Sequence, residues 1–368
     1  MQQICFQTNL YAKLKNSAQW RELTVQELKA FLGMIIVMGI HQLPEAAIYW
    51  SSDPYLNVNA VLNVMTLARY KKIIENLQCN DNLFQSATND PGYDKLYKIR
   101  PLISALNKNC LKVYHPSTSL AVDESMVAFK GRTSLKQYMP MKPVNRGYQI
   151  WCLADVNTGF ISNFDVYTGK SAASRGEFKD CQMCERVVLE LCKPFFNSNR
   201  TVVFDNLFST FSLMKQLRKQ GLYSCGTVRG NRKGLPQFLA SKLQSLNRGE
   251  FTFAVKSGVA AVKWQDSKAV CLLSTALNPK DVVFIKRKLK DGSTIRISCP
   301  EVVHVYNSTM GGVDHFDQIR ESHRQLLCTI STVKTKRKPA VISNETSKAI
   351  DKWFFIKNEE GPITCFLF

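Results

Sequence analysis

The 368 residues, 45% of them hydrophobic, can bury a full core and build two or three structural units, which excludes a disordered tail or a stapled miniprotein. The 49 Lys and Arg against 29 Asp and Glu leave a net charge of +20, so a polyanion is the first partner to consider, and nucleic acid leads. The 12 Cys are scattered and no charged segment followed by an apolar stretch opens the chain, so reduced thiols are expected rather than a secreted disulfide framework. No membrane partner is expected either, because the longest apolar run, Phe31 to Ile40, is about half the length that crosses a bilayer.

In chain order, Trp20, Leu23, Leu28, Phe31, Leu32 and Ile35 recur at helical steps and predict an amphipathic helix from near Leu23 to Gln42. Thr24-Val-Gln-Glu27 reads as its capping box, and Pro44 ends the segment. Apolar residues at helical spacing predict a second helical unit over Ala60 to Leu77 and a third over Leu96 to Tyr114, with Pro101 suited to a first turn. The texture then changes. Short β-rich runs at Leu120 to Phe129, Gly147 to Val156 and Ile161 to Tyr167 predict a three-strand meander.

A helix follows from Cys181 to Cys192, then a strand Thr201 to Phe204 that delivers Asp205, a helix from Thr210 to Gln220 and a strand Ser224 to Arg229. This order predicts an α/β (α+β) fold with a mixed sheet flanked by helices. Residues 235–300, with alternating runs at Phe251, Val259, Val270 and Asp281, read as a small β-rich insertion, and a helix is expected from Val313. The resulting organisation is a helical domain over 1–117, the first part of a core over 118–234, the insertion over 235–300, the last part of the core over 301–327, and a divergent, disordered tail over 328–368. Three basic groups stand out, at Arg229 to Lys233, Lys286 to Lys290 and Lys334 to Lys338.

Three acidic positions need explaining. Asp123 lies within an apolar strand, Asp205 at the end of another, and Asp314 and Asp317 three residues apart on the expected last helix. A carboxylate at the end of a core strand loses hydration unless it is paired, hydrogen-bonded or bound to a metal. An RNase H-like core draws its carboxylates from these same elements in this order, and Asp314 and Asp317 would share one helix face. Such a cluster suits Mg2+ or Mn2+ and a two-metal in-line attack on phosphorus. Spacing alone leaves open three unrelated surface or capping carboxylates. Cys181-Gln-Met-Cys184 has zinc-like spacing without a second pair, so it reads as structural thiols, and scattered His304, His315 and His323 indicate no catalytic histidine.

The segments Asp123 to Arg132, Lys136 to Pro143, Phe204-Asp-Asn-Leu-Phe-Ser-Thr210, Gly226-Thr-Val-Arg229 and Tyr306 to Gln318 resemble the piggyBac family of DNA transposases. Leu28 to Gly33, Met38-Gly-Ile40 and Tyr49-Trp50 are similar to that family's helical domain, so the likeness runs over roughly residues 5–320. Gly311-Gly-Val-Asp-x-x-Asp-Gln318 is its most specific piece. The resemblance implies a nuclear cut-and-paste transposase core that cleaves double-stranded DNA at transposon ends and joins it to a short A/T target. Carried over by motif, Asp123, Asp205 and Asp314 are its catalytic triad, and Asp317 is a further ligand for Mg2+ or Mn2+. Lys130, Arg132, Lys136, Lys142 and Arg229 lie near these motifs and are expected to contact DNA phosphates. A homodimer is expected as the acting assembly. Beyond Gln318 the family's basic helix and Cys-rich zinc tail are not recognisable, so a truncated fragment or a catalytically inactive, DNA- or chromatin-binding derivative is the alternative expectation.

Overall fold

The computed structural model describes residues 1–90, 92–129, 131–169, 177–178, 180–240, 246–331, 355–358 and 361–364, with backbone alone for 322–331 and the last two stretches. The chain forms two compact units: Met1–Leu106 with Val127–Tyr148 and Gln318–Phe368, and Asn107–Met126 with Gln149–Asp317.

The first unit is built on α1 (Gln2–Leu14), α2 (Val25–Ile40), α3 (Asn59–Leu62), α4 (Leu67–Asn76) and the start of α5 (Arg100–Val113). Leu28, Phe31, Met34 and Met38 of α2 pack with Cys5, Tyr49, Val61, Tyr70 and Ile73 in one apolar cluster. Thr24 accepts a hydrogen bond from Glu27 N at 3.1 Å, the backbone half of the expected capping box. The Glu27 carboxylate is turned to Arg69 instead of closing the box, at 2.7 and 2.6 Å, and ties α2 to α4. The single helix expected over Ala60 to Leu77 is two, because Thr66 caps a new start by accepting from Arg69 N at 3.3 Å.

The second unit is organised by a mixed sheet. Its strands are β1 (Ser119–Ala128), β3 (Arg146–Asp155), β4 (Ile161–Val166), β5 (Thr201–Phe204), β6 (Tyr223–Thr227), β7 (Phe251–Lys256), β8 (Val259–Gln265) and β9 (Ala269–Ser274); the short β2 (Gln137–Tyr138) pairs with the start of β3 in the first unit. The order runs β3-β1-β5-β6-β9-β8-β7, with β4 on β3. β1, β5 and β6 are parallel, and β9, β8 and β7 continue antiparallel. The meander is present, but residues 235–300 are not a sheet apart. Three of their strands extend the main sheet from β6, since the apolar runs at Val259 and Val270 are buried on both faces and need a neighbouring strand.

Helices cover this sheet. Leu120 and Val122 of β1, with Val202 and Phe204 of β5, face α6 (Met183–Cys192) and α7 (Phe211–Lys219). Alternate residues Ala121, Val203 and Cys225 face Val302, Val303 and Tyr306 of α9 (Glu301–Thr309). Between lie the short α8 (Gln237–Ala240) and a separate ribbon of β10 (Val282–Lys288) and β11 (Thr294–Pro300). The boundary expected at 117 falls inside this unit, because Asn107 of α5 exchanges hydrogen bonds with the Phe164 backbone of β4 at 2.8 and 3.1 Å.

α10 (Gly312–Ser331) runs for twenty residues and ends beyond residue 327, where the last part of the core was expected to stop. Downstream, β12 (Phe355–Asn358) and β13 (Gly361–Thr364) pair as a hairpin. The rest of the tail expected to be disordered, including Lys334 to Lys338, lies outside the described residues. Among the described residues no helix is long and apolar enough to cross a membrane. The cysteines described carry free thiols, and Cys181 and Cys184 pack half-buried beside the α6 and α7 core, Cys181 Sγ lying 3.2 Å from Gln216 Oε1.

Candidate active site

Strand register places the first two carboxylates. β1 pairs with β5 from Ser119 opposite Thr201 to Val122 opposite Phe204, so the next residue on each strand is an aspartate, Asp123 beside Asp205. Adjacent strands lie about 4.8 Å apart, which sets the backbone separation of this pair. One strand further, β5 pairs with β6 to Phe204 opposite Gly226, which puts Thr227 next in the row. Asp123 shares its strand face with Ala121, the face covered by α9, and is half-buried there.

α10 is seated on β1 at two points. Gly312 meets the strand first: a Cβ built there would lie 3.1 Å from Ala121 Cβ and 3.3 Å from Asp155 O. Ser125 then donates its hydroxyl to Asp317 Oδ1 at 2.6 Å. Asp123 lies between these two contacts along the strand. Asp314 is on the first turn of α10 between the same two contacts, and it is exposed, whereas Val313 beside it is fully buried. The helix therefore presents Asp317 to the strand and leaves Asp314 on its open side.

The loop after Asp205 is held from both ends. Asp205 Oδ1 accepts Leu207 N at 2.7 Å, and Thr210 caps α7 by accepting Leu213 N at 3.0 Å. Buried Glu185 of α6 accepts the Thr210 hydroxyl. The Arg232 guanidinium donates to three loop carbonyls, Ser209 O at 2.9 Å, Asn206 O at 2.5 Å and Leu207 O at 3.1 Å. Gly226 leaves the space, since a Cβ there would lie 2.3 Å from Ser209 Oγ.

Tyr306 of α9 completes the row. Its hydroxyl lies 3.2 Å from Thr227 Oγ1, and burial, with the negative charge of Asp205 and then Asp123, pushes it up to about 12. Both carboxylates are thus within electrostatic range of one phenol. Burial raises the Cys184 thiol in the same way, and Asp205 and Glu124 add to it while Arg232 opposes.

The carboxylates do not stand ready around an ion. Among the described residues, no three Asp, Glu, His or Cys side chains gather closely enough to hold one. Each of three carboxylates has a protein donor: Asp123 Oδ1 accepts Glu124 N at 2.8 Å, Asp205 accepts Leu207 N, and Asp317 accepts Ser125. The donor chemistry nonetheless fits Mg2+ or Mn2+, because every candidate ligand is a hard carboxylate oxygen.

Of the expected phosphate contacts, Arg229 is exposed two residues beyond β6, in the same unit as the carboxylates. Arg132, Lys136 and Lys142 belong to the other unit, where Arg132 is exposed and Lys136 Nζ donates to Gly131 O at 2.8 Å. Lys130 lies outside the described residues. Sequence reasoning missed Ser125, Tyr306 and Arg232. Ser125 had a signal, two residues from Asp123 and so on the same strand face; Arg232 was hidden inside the basic group Arg229 to Lys233.

Residues 1–341 match the family described as Transposase IS4. The chain belongs to the piggyBac transposase family. It is 31% identical over 325 residues to human PiggyBac transposable element-derived protein 3, covering 86% of this chain and 53% of that protein. Human PiggyBac transposable element-derived protein 2 is 30% identical over 318 residues, covering 85% and 52%. The chain thus spans about half the length of these relatives. A solved piggyBac transposase synaptic complex with hairpin DNA superposes with a TM-score of 0.70 at 22% identity, covering 96% of this chain and 76% of that one. The fold of this piggyBac-family chain is therefore RNase H-like, and the row of Asp123, Asp205 and Thr227 lies just past the paired stretch of its parallel strands.

Proposed function

We propose that the chain is a DNA-cleaving and strand-transferring core of cut-and-paste transposition, with Asp123, Asp205 and Asp314 as catalytic carboxylates and Asp317 as an additional metal-site acid. The observation that carries this reading is the register that sets Asp123 beside Asp205 on parallel strands, with α10 laid along β1 over them. Two carboxylates on adjacent strands repel and call for a counter-charge. Mg2+ or Mn2+, when bound, would supply that charge together with activation of a water or 3′-hydroxyl and stabilisation of the leaving oxygen.

The chain's own residues do the rest. Asp123, Asp205 and Asp314 would hold the ion through their carboxylate oxygens, and Asp317 keeps α10 in place through Ser125. Arg229, Arg132, Lys136, Lys142 and Lys130 neutralise DNA phosphates, in keeping with the net charge of +20. The likeness to a synaptic complex with hairpin DNA supports DNA as ligand; a homodimer as the working assembly and the nucleus as the site of action are part of the same proposal.

A second reading is a DNA- or chromatin-binding derivative that does not cut. Incubation with supercoiled plasmid in Mg2+ or Mn2+ separates the two. Nicking that disappears in Asp123→Asn supports catalysis. Plasmid binding with no cleavage in either metal overturns it in favour of the second reading.

A further inference from the structure

We propose that the β10–β11 ribbon is a second duplex-DNA contact, lying in a groove of the duplex with Lys286, Lys288 and Arg296 on its phosphates. The inference deepens the reading of DNA as ligand and rests on it.

The ribbon pairs antiparallel from Val282 opposite Pro300 to Lys288 opposite Thr294. Alternation gives it two faces. Val283, Ile285, Ile295 and Ile297 point inward and pack with Trp264, Cys299 and Val302, which anchors the ribbon to its unit. Val282, Phe284, Lys286 and Lys288 of β10 and Thr294 and Arg296 of β11 are exposed on the other face. No acidic residue occurs among these outward positions.

The two faces treat their cations differently. Arg287, on the inward side, is bound by Asp266 at 2.9 Å, and Asp266 also takes Arg248 at 2.8 Å. Burial works against that carboxylate, but the two guanidiniums outweigh it and hold it below the usual range. Outside, Lys286 stands directly opposite Arg296 in register. Like charges at directly opposed positions destabilise a strand pair, and this ribbon carries no outward acid to offset them. The one carboxylate in the turn, Asp291, is taken up by Ser293 N at 2.9 Å and by its hydroxyl at 2.6 Å. A polyanion across this face removes the repulsion.

Shape agrees with charge. Seven paired positions at about 3.4 Å each give a rod on the order of 20 Å long, and a two-stranded ribbon is one of the two elements that a DNA major groove of about 12 Å admits. Phe284, 74% exposed, adds an aromatic surface beside the Lys286 and Arg296 pair.

The test is binding of the full chain to a fluorescent random-sequence duplex over a salt series. Lys286→Ala with Arg296→Ala lowers the slope of log affinity against log salt by about 2 and weakens binding on the order of tenfold near physiological salt. Thermal unfolding is unchanged or raised, since the repulsion is gone. A slope and affinity equal to the parent's overturn the proposal, as does loss of poly-glutamate binding with duplex binding intact. A parent that never cleaves DNA but shows the ribbon effect leaves this inference standing, and one that cleaves without the effect removes this inference alone.

Discussion

Ser125 and Asp317, 192 residues apart in sequence, are joined by a 2.6 Å hydrogen bond that fixes α10 along β1. A hydrogen bond to a charged acceptor contributes about 1.5–3 kcal/mol. Ser125→Ala and Asp317→Ala should each lower stability by about that amount, and the double variant should cost clearly less than the sum, because the partners are in contact. Denaturant unfolding of the four proteins measures the coupling. Strict additivity would show that the contact does not hold the helix.

The Gly311-Gly312 pair is not symmetric. Nothing lies within 4 Å of a Cβ built on Gly311, whereas one on Gly312 meets Ala121 Cβ at 3.1 Å and Asp155 O at 3.3 Å. Gly311→Ala should therefore be tolerated. Gly312→Val should overpack the helix against β1, cost roughly 1–3 kcal/mol and displace Asp314 and Asp317 together, with loss of any metal-dependent nicking. Thermal unfolding and plasmid nicking of the two variants decide it; equal effects from both glycines would remove the packing argument.

Arg232 uses its guanidinium on the carbonyls of Asn206, Leu207 and Ser209, so its substitution should act on the Asp205 loop more than on DNA. Arg232→Ala is expected to speed amide exchange across residues 206–210 and to reduce nicking, with little change in the salt slope of DNA binding. Arg232→Lys should not rescue it, because an ammonium cannot reproduce a planar fork. Arg229→Ala should show the converse pattern, a slope lower by about 1 with loop exchange unchanged. Matching behaviour of the two arginines would assign both to phosphate.

Much of this architecture was legible in the residues. The apolar runs of β1 and β5 ending in aspartate announced buried strands, and the motif likeness ordered Asp123, Asp205 and Asp314. Periodicity does not report register, so the meeting of Asp123 with Asp205 needed the pairing itself. It also misled over Ala60 to Leu77, where an unbroken apolar face continues across a helix break that Thr66 marks by capping a new helix. α1 was not foreseen, because its buried face uses Cys5, Thr8 and Ala12 rather than large apolar residues. Residues 259–274 looked separable, since sequence cannot show that β9 finds β6 as its neighbour.

Acid should attack the second unit at Asp155, which is fully buried at the end of β3. Burial pushes that carboxyl up, but the hydroxyl and amide of Ser117, the Thr158 hydroxyl and the Tyr114 hydroxyl outweigh it and draw it below its ordinary value. Tyr114 donates at 2.8 Å, Thr158 Oγ1 at 2.8 Å and Ser117 N at 3.0 Å. A group depressed on folding contributes stability that is present above its unfolded value, about 3.9, and is lost as pH falls from there through the folded value. Asp155→Asn should destabilise at pH 7 by about 2–4 kcal/mol, since an amide cannot accept all of these donors. It should also flatten the loss of stability below about pH 4. Thermal unfolding of parent and variant from pH 7 to pH 3 checks both signs. The ties at this residue join the segment before β1 to the β3–β4 turn. A parallel acid loss in parent and variant would place the titrating group elsewhere.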